Sequence, residues 1–159
     1  MSTPQFFAKR LKGEIPGFLK VIRALPEDKL DYKPHEKNTA AGALAWQIAC
    51  EMSSLTGVLE NGEINYRSKE CPSLGEIAET FEKAANEVVE RANAASEERW
   101  RGPAKFIYDG HVAWEATVED MAWGFLLDLV HHRGQLTAYL RPMGGKVPAV
   151  YGPSADDRG

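Results

Sequence analysis

The sequence predicts an all-α protein, a four-helix bundle, from three observations. Four segments repeat apolar residues at the spacing of an amphipathic helix, about 3.6 residues per turn. Each segment is long enough to cross a bundle, and long connections follow the first and the third. The chain has 159 residues, 43% of them hydrophobic and 26% charged. This size and composition predict one soluble domain over residues 1–159.

The charge balance and the cysteines narrow the class of protein. A net charge of −4 leaves no broad basic surface for phosphate groups, so we do not expect a nucleic-acid-binding protein. No segment approaches the roughly 20 apolar residues that span a bilayer, and the N-terminal residues lack the apolar run of a signal peptide. Cys50 and Cys71 do not form a metal-type pair. We therefore expect a cytoplasmic protein that does not enter a membrane.

The first helix is predicted from Pro4 to Ala24, with Pro4 suited to a first helical turn. The segment GEIPG, Gly13 to Gly17, lies in its middle. Pro16 lacks a backbone donor and clashes with the preceding turn. We therefore expect this helix to bend or break there.

The second helix is predicted to start from a cap at Asn38 or Thr39 and to reach about Leu59. Gly62 is the natural left-handed residue to end it. Gln47 and Glu51 are four residues apart, so they share one face beside the apolar stripe. Polar groups in that position need partners.

The third helix begins at a capping box, Ser73 to Glu76, and ends around Ala95. Short β-prone runs then flank Asp109-Gly110 within residues 100–115. This pattern predicts a hairpin or an extended crossover before the last helix.

The fourth helix is predicted from a cap at Thr117 to Arg141. The tail, residues 145–159, has several turn residues and little periodicity. We expect it to form a strap across the surface, anchored by Val147, Val150 and Tyr151.

The fourth helix carries polar residues inside an apolar pattern. Asp128 and His132 are separated by four residues, so both can point at one ion or share one hydrogen bond. Carboxylate and imidazole groups facing the inside of a bundle can build a metal site. A third ligand must then come from another helix, and Gln47 or Glu51 is the best placed by its face.

The same residues also allow a structural interpretation. Asp128 and His132 can form a buried ion pair that sets the helix register, without a metal. His131 lies about 100° around the helix from His132, so we expect it to support packing or an interface. Arg133 and Gln135 have two interpretations. They support the metal site or an interface, or they lie on an exposed helix face. The large aromatics are expected in the core or a dimer interface: Trp46, Trp114, Trp123 and Tyr139.

Two segments resemble the DinB-like superfamily of four-helix bundle proteins. The closing segment reads HHRGQLTAYLRPMGGKVPAVYGP, and the passage from the first helix into the second reads LPEDKLDYKPHEKNTAAGALAWQIA. The resemblance covers nearly the whole chain. It implies an up-down-down-up bundle, often a homodimer, in which three histidines hold one divalent ion such as nickel, zinc or iron.

The family's three ligand positions correspond here to Gln47, Asp128 and His132, so only one is still a histidine. Asp is a competent ligand for a hard cation, whereas a neutral amide is a poor one. This ligand set favours an oxygen-loving ion or a weaker site.

These residues support three functional hypotheses. The first is a metal-dependent enzyme of hydrolase or thiol-dependent transferase type, with a divalent ion at Gln47, Asp128 and His132 and with Glu51 as a base or a fourth ligand. The second is a non-catalytic bundle, such as a stress-related binding or dimerisation module, whose metal site has decayed. The third is a carrier that holds a small apolar ligand between the helices. The sequence identifies no substrate.

Overall fold

The computed structural model describes residues 1–66 and 70–159, apart from the side chain of Asn65. Four long helices and one short helix surround the core, and a small sheet lies beside them. The helices are α1 (Thr3–Arg23), α2 (Ala41–Asn61), α3 (Leu74–Ala94), α4 (Glu97–Trp100) and α5 (Val118–Leu140). The strands are β1 (Glu63–Tyr66), β2 (Pro103–Tyr108) and β3 (His111–Thr117).

The four long helices do not pack in chain order. Helix α3 contacts both α1 and α2, and α2 contacts α5, which also touches α1. The order around the bundle is therefore α1, α3, α2, α5. The long connections that follow the first and third predicted helices permit such an order.

Helix α1 does not break at Pro16, contrary to one of the predicted outcomes. It is helical from Thr3 to Arg23 with Pro16 inside it. Pro16 and Lys12 are both exposed. The carbonyl of Lys12, which loses its usual donor four residues later, can therefore be solvated, and the helix continues.

Helix α2 starts without the predicted side-chain cap. Its N-cap residue is Ala40, rather than Asn38 or Thr39. The first backbone N–H groups are satisfied by the preceding loop instead: Ala41 donates to the Tyr32 carbonyl at 3.0 Å and Gly42 to the Leu30 carbonyl at 2.8 Å. The predicted end is confirmed, since Gly62 lies in the left-handed region with φ of 85°.

The predicted starts of the other two helices are confirmed. Ser73 and Glu76 form a reciprocal capping box at α3, with the Ser73 N–H donating to Glu76 Oε2 at 3.0 Å. At α5, the Thr117 hydroxyl accepts the Asp120 N–H at 3.1 Å. Both caps direct a long amphipathic helix into the bundle.

The chain is mostly helical but carries a three-stranded sheet, so the all-α prediction was incomplete. Strands β2 and β3 form the predicted hairpin, and its turn residues Asp109 and Gly110 both have positive φ. Strand β1 pairs with β2 in parallel. Gly57 permits this arrangement, because a Cβ there would lie 2.7 Å from the Glu63 carbonyl oxygen. The rest of the connection after β1, residues 67–69, lies outside the described residues.

The C-terminal tail packs against the bundle, as predicted for a strap. Val147 is buried and Val150 is half-buried. The Lys20 ammonium on α1 donates to the Ala149 carbonyl at 3.2 Å. Tyr151 anchors the tail in a different way from the one expected: its side chain is exposed, and its hydroxyl and ring contact polar groups rather than the core.

One hydrophobic core joins the helices and the inner side of the sheet. The rings of Phe18 on α1 and Phe81 on α3 lie 4.9 Å apart, and Trp100 is fully buried against Phe7. Burial of such large aromatic surfaces provides much of the packing between the helices. Within residues 1–66 and 70–159, no helix combines the length and apolar character needed to cross a membrane.

Candidate metal centre

Neighbouring faces of α2 and α5 bring all four candidate residues together. Gln47 and Glu51 occupy successive turns of α2, and Asp128 and His132 occupy successive turns of α5. Because α2 packs directly on α5, the two pairs meet between the helices. We call these four residues the inter-helix cluster.

The atoms of the inter-helix cluster converge on the Nε2 atom of His132. The Gln47 amide nitrogen lies 3.0 Å from it and donates a second hydrogen bond, of 2.8 Å, to Glu51 Oε1. Asp128 Oδ2 lies 3.3 Å from the same imidazole nitrogen, and Glu51 Oε1 lies 3.8 Å from it. The cluster therefore surrounds one ring nitrogen with two carboxylates and an amide.

Gln135 orients the imidazole from the other side. Its Oε1 atom lies 2.9 Å from His132 Nδ1. An amide oxygen only accepts, so the Nδ1–H group is the donor in this contact, and Nε2 is the ring nitrogen that faces Asp128 and Glu51. Metal-binding histidines usually have their second nitrogen fixed in this way. This contact agrees with the supporting role that was one of the interpretations of Gln135.

Glu51 is the member of the cluster whose hydrogen-bonding capacity is least satisfied. The residue is 8% exposed, and its Oε2 atom is buried with no hydrogen-bond partner among the described residues. Burial raises the pKa of the Glu51 carboxyl, although the Gln47 hydrogen bond and the His132 ring oppose this effect, and Asp128 adds to it. A buried carboxylate oxygen without a donor is costly, and an ion or a ligand would remove that cost.

Glu51, Asp128 and His132 have the geometry of a possible metal-binding group. One ligand atom from each lies within 4.8 Å of the others. Glu51 is buried and His132 is half-buried, whereas Asp128 is more than half exposed and faces the opening of the site. Gln47 presents its nitrogen to this group, and an amide N–H donates to acceptors rather than to a cation.

Sequence reasoning missed the cavity beside the cluster. A cavity of about 630 Å³ is lined by Gln47, Glu51 and Asp128 and by aromatic residues of the sheet and α5. Trp114 is among them, although it was expected in the core or a dimer interface. The alternation of Phe106 and Tyr108 along one strand was a signal of a shared aromatic face.

His131 and Arg133 lie outside the inter-helix cluster. His131 is exposed, with its ring centre 5.5 Å from that of His132. Arg133 is buried, which excludes the exposed-face interpretation for this residue. It donates to Glu14 Oε2 at 2.8 Å and to the Tyr151 hydroxyl. We call Glu14, Arg133 and Tyr151 the strap cluster, because they join α1 and α5 to the tail.

Comparisons with known proteins agree with this architecture. The uncharacterized protein YrdA of Bacillus subtilis (strain 168) is 22% identical over 160 residues, covering 98% of this chain and 92% of that protein. Two crystal structures of DinB-like proteins share the fold. The protein from Bacillus cereus ATCC 10987 aligns with a TM-score of 0.74 and 20% identity, over 91% of this chain and 95% of its own. YjoA from Bacillus subtilis aligns with a TM-score of 0.69 and 18% identity, over 87% and 92%.

The family match extends along almost the entire chain. The model of the DinB family matches residues 1–158, which include the bundle, the sheet, the inter-helix cluster and the strap. The resemblance first seen in two sequence segments is thereby confirmed, and the chain belongs to the DinB family.

Proposed function

We propose that this protein is an enzyme of hydrolase or thiol-dependent transferase type, and that it binds one divalent metal ion between α2 and α5 for catalysis. The observation that carries the proposal is Glu51 Oε2, a buried carboxylate oxygen without a partner among the described residues. It lies in a cluster whose histidine directs Nε2 towards two carboxylates. A cation would pair with all three groups at once.

Glu51 is the better third ligand from α2, with Asp128 and His132 supplied by α5. The family resemblance assigns that position to Gln47, whose nitrogen faces the cluster. Glu51 offers an anionic oxygen from the next helical turn, and anionic oxygens bind divalent ions more strongly than neutral amides. Two carboxylates and one imidazole suit zinc, iron or manganese.

The proposed reaction type follows from the surroundings of these ligands. A divalent ion held by Glu51, Asp128 and His132 would supply Lewis-acid chemistry, lowering the pKa of a water or thiol bound to it. The chain supplies the orientation: Gln135 fixes the imidazole, and the amide of Gln47 holds Glu51. If Glu51 does not bind the ion, its raised pKa suits a general base beside the cavity.

One observation favours a second candidate, a non-catalytic protein with a decayed metal site. The Gln47 nitrogen bridges Glu51 and His132 with hydrogen bonds of 2.8 and 3.0 Å. These bonds satisfy part of the cluster without an ion. This alternative does not explain why Glu51 Oε2 is buried without a hydrogen-bond partner among the described residues.

Metal analysis of protein purified without a polyhistidine tag tests the proposal. We expect one divalent ion per chain by elemental analysis, and a higher thermal unfolding temperature after the ion is restored to stripped protein. Asp128→Ala and His132→Ala should each lose the ion and this thermal shift. His131→Ala is the matched control, since it removes the adjacent imidazole outside the cluster and should keep both.

The decayed-site alternative makes the opposite prediction. The parent protein would then hold no stoichiometric metal and show no thermal shift with zinc, iron or manganese. Gln47→His, which restores an imidazole on α2, would create tight binding where the parent has none. That pair of results would overturn the metal-dependent function.

A further inference from the structure

The cavity beside the inter-helix cluster has an aromatic wall opposite its polar floor. The volume of about 630 Å³ lies in the usual range for small-molecule sites. The floor consists of Gln47, Glu51 and Asp128. We call the five rings around it the aromatic wall: Tyr66, Phe106, Tyr108, Trp114 and Phe125.

Strand pairing places four of these rings on one face of the sheet. Phe106 and Tyr108 are two residues apart on β2, so both point to the same side. Tyr66 of β1 pairs with Tyr108, and Trp114 of β3 pairs with Phe106. Cross-strand partners lie on a common face, which collects rings from all three strands.

Helix α5 completes the wall from the other side. Phe125 lies 5.6 Å from the Phe106 ring and 6.3 Å from the Trp114 ring, measured between centroids. The Trp114 indole rests directly on Gly124, where a Cβ would come within 2.7 Å of it. Trp114 is 38% exposed and Tyr108 47% exposed, so large apolar rings remain open to solvent at this site. Exposed aromatic surface around a concave site is typical of ligand binding.

The described lining of the cavity carries charged groups of one sign only. These are the carboxylates of Glu51 and Asp128, and the same described residues include no lysine, arginine or histidine. Glu51 is more than nine-tenths buried, and its Oε2 atom has no donor among the described residues. An anionic ligand would be repelled by these carboxylates, and a purely apolar ligand would leave Glu51 Oε2 unsatisfied.

We propose that the cavity binds a small organic ammonium ion that carries at least one N–H group and an apolar body. The positive charge faces the carboxylates of Glu51 and Asp128, and the ammonium N–H donates to a carboxylate oxygen at the cavity surface. The apolar body packs on the aromatic wall, whose ring faces also attract the cation. An ammonium ion with an apolar body suits both the negative floor and the aromatic wall of the cavity.

Glu51 and Asp128 are also two of the proposed metal ligands, so a bound divalent ion would cancel the negative charge that attracts the ammonium ion. The inference therefore concerns the metal-free cavity and goes beyond the proposed function. Binding itself depends on the carboxylates and the rings, so it can be measured in protein stripped of metal. A failure to bind metal and a failure to bind the ammonium ion are therefore separate results.

The test compares three probes that share a phenyl group but differ in charge. Isothermal titration calorimetry on the full-length, metal-stripped chain at neutral pH measures 2-phenylethylammonium, its neutral analogue 2-phenylethanol, and anionic 3-phenylpropanoate. We expect the ammonium ion to bind about tenfold or more tightly than the alcohol, as for a charge-assisted hydrogen bond. The carboxylate should show no binding.

Two variants separate the contributions of the Glu51 charge and of the Trp114 ring to ammonium binding. Glu51→Gln keeps the side-chain shape and should abolish the preference for the ammonium ion over the alcohol. Trp114→Leu should weaken ammonium binding about fivefold, because it removes one cation-attracting ring from the wall. Phe6→Leu is the matched control: it makes the same type of change outside the cavity, beside Trp123, and should leave the affinity unaltered.

The proposal is overturned by either of two results. Equal affinity for the ammonium ion and the alcohol would show that the carboxylates do not select charge. An unchanged preference in a folded Glu51→Gln variant would place the ammonium ion elsewhere. Circular dichroism of each variant confirms that it is folded before its affinity is compared.

Discussion

Two consecutive residues of α5, His132 and Arg133, anchor polar clusters that differ in how completely their groups are paired. The residues lie about 100° apart around the helix, so they face different neighbours. His132 faces α2 in the inter-helix cluster, and Arg133 faces α1 and the tail in the strap cluster. A single turn of α5 thus carries one polar residue of each cluster.

The strap cluster is paired within itself. The Arg133 guanidinium donates to Glu14 and to Tyr151, and the Tyr151 hydroxyl donates to Glu14 at 2.8 Å. The guanidinium also lies over the rings of Phe18, at 4.5 Å, and Tyr151, at 4.9 Å. Such a cluster fixes the tail against the bundle, and among the described residues none of its side-chain atoms is buried without a partner.

The inter-helix cluster is different because it is incomplete and lies beside a larger cavity, about 630 Å³ against about 100 Å³ for the cavity beside Glu14 and Tyr151. One nitrogen of Gln47 is shared between Glu51 and His132, and Glu51 Oε2 remains unpartnered among the described residues. A folded protein tolerates such a group at a cost in stability when the group serves a function. The comparison teaches that buried polarity alone does not identify a site, whereas an unpaired group beside a cavity does.

Breaking the strap cluster should have the largest effect on stability. Arg133→Met leaves the Glu14 carboxylate, which is 12% exposed, without its cation. Removing one partner of a buried pair typically costs about 3 to 5 kcal/mol, so we expect the free energy of unfolding to fall by about 3 kcal/mol. Urea unfolding monitored by circular dichroism measures the change.

Two further variants test whether pairing is the cause. Arg133→Met combined with Glu14→Leu should recover most of the loss, because no buried charge is then unpaired. Arg141→Met removes a guanidinium that is more than half exposed, and should change stability by less than about 1 kcal/mol. If the double variant were as unstable as Arg133→Met, packing rather than charge pairing would explain the cluster.

Neutralising Glu51 in the inter-helix cluster should raise the stability of the protein, in contrast to the loss expected from Arg133→Met. Glu51→Gln removes the buried charge while keeping an oxygen that can accept from Gln47. In metal-stripped protein at neutral pH we expect the free energy of unfolding to rise by about 1 kcal/mol, because burying a neutral amide costs less than burying a carboxylate. The measurement is the same urea titration. A loss of stability equal to that of Arg133→Met would mean that Glu51 is a structural residue.

The long helices were predictable because their signals are local. Apolar spacing, the capping box at Ser73 and the glycine at position 62 act within a few residues, and the structure follows them. Strand β1 was not predicted, since its four residues pair with β2, about 40 residues later. The start of α2 was misplaced for the same reason: the carbonyls of Leu30 and Tyr32, not a neighbouring side chain, satisfy its first N–H groups.

The candidate site was predictable on the helices and not on the sheet. Helical spacing placed Gln47 with Glu51 and Asp128 with His132, and the four residues do meet between α2 and α5. The aromatic wall depends on the register of three strands, which one sequence does not specify. The pairing of Arg133 with Glu14 joins residues more than 100 positions apart, beyond any local pattern.

The smallest effects are expected for alanine substitutions at two glycines of α5, Gly124 at the cavity and Gly134 on the surface. At Gly134 an added Cβ would meet nothing within 4 Å, so Gly134→Ala should raise the free energy of unfolding by about 0.5 to 1 kcal/mol through helix propensity. At Gly124 the same Cβ would displace the Trp114 indole. We expect Gly124→Ala to gain less stability, to alter tryptophan fluorescence and to weaken ammonium binding, while Gly134→Ala leaves the last two unchanged. Identical behaviour of the two variants would mean that the contact with Gly124 does not position the aromatic wall.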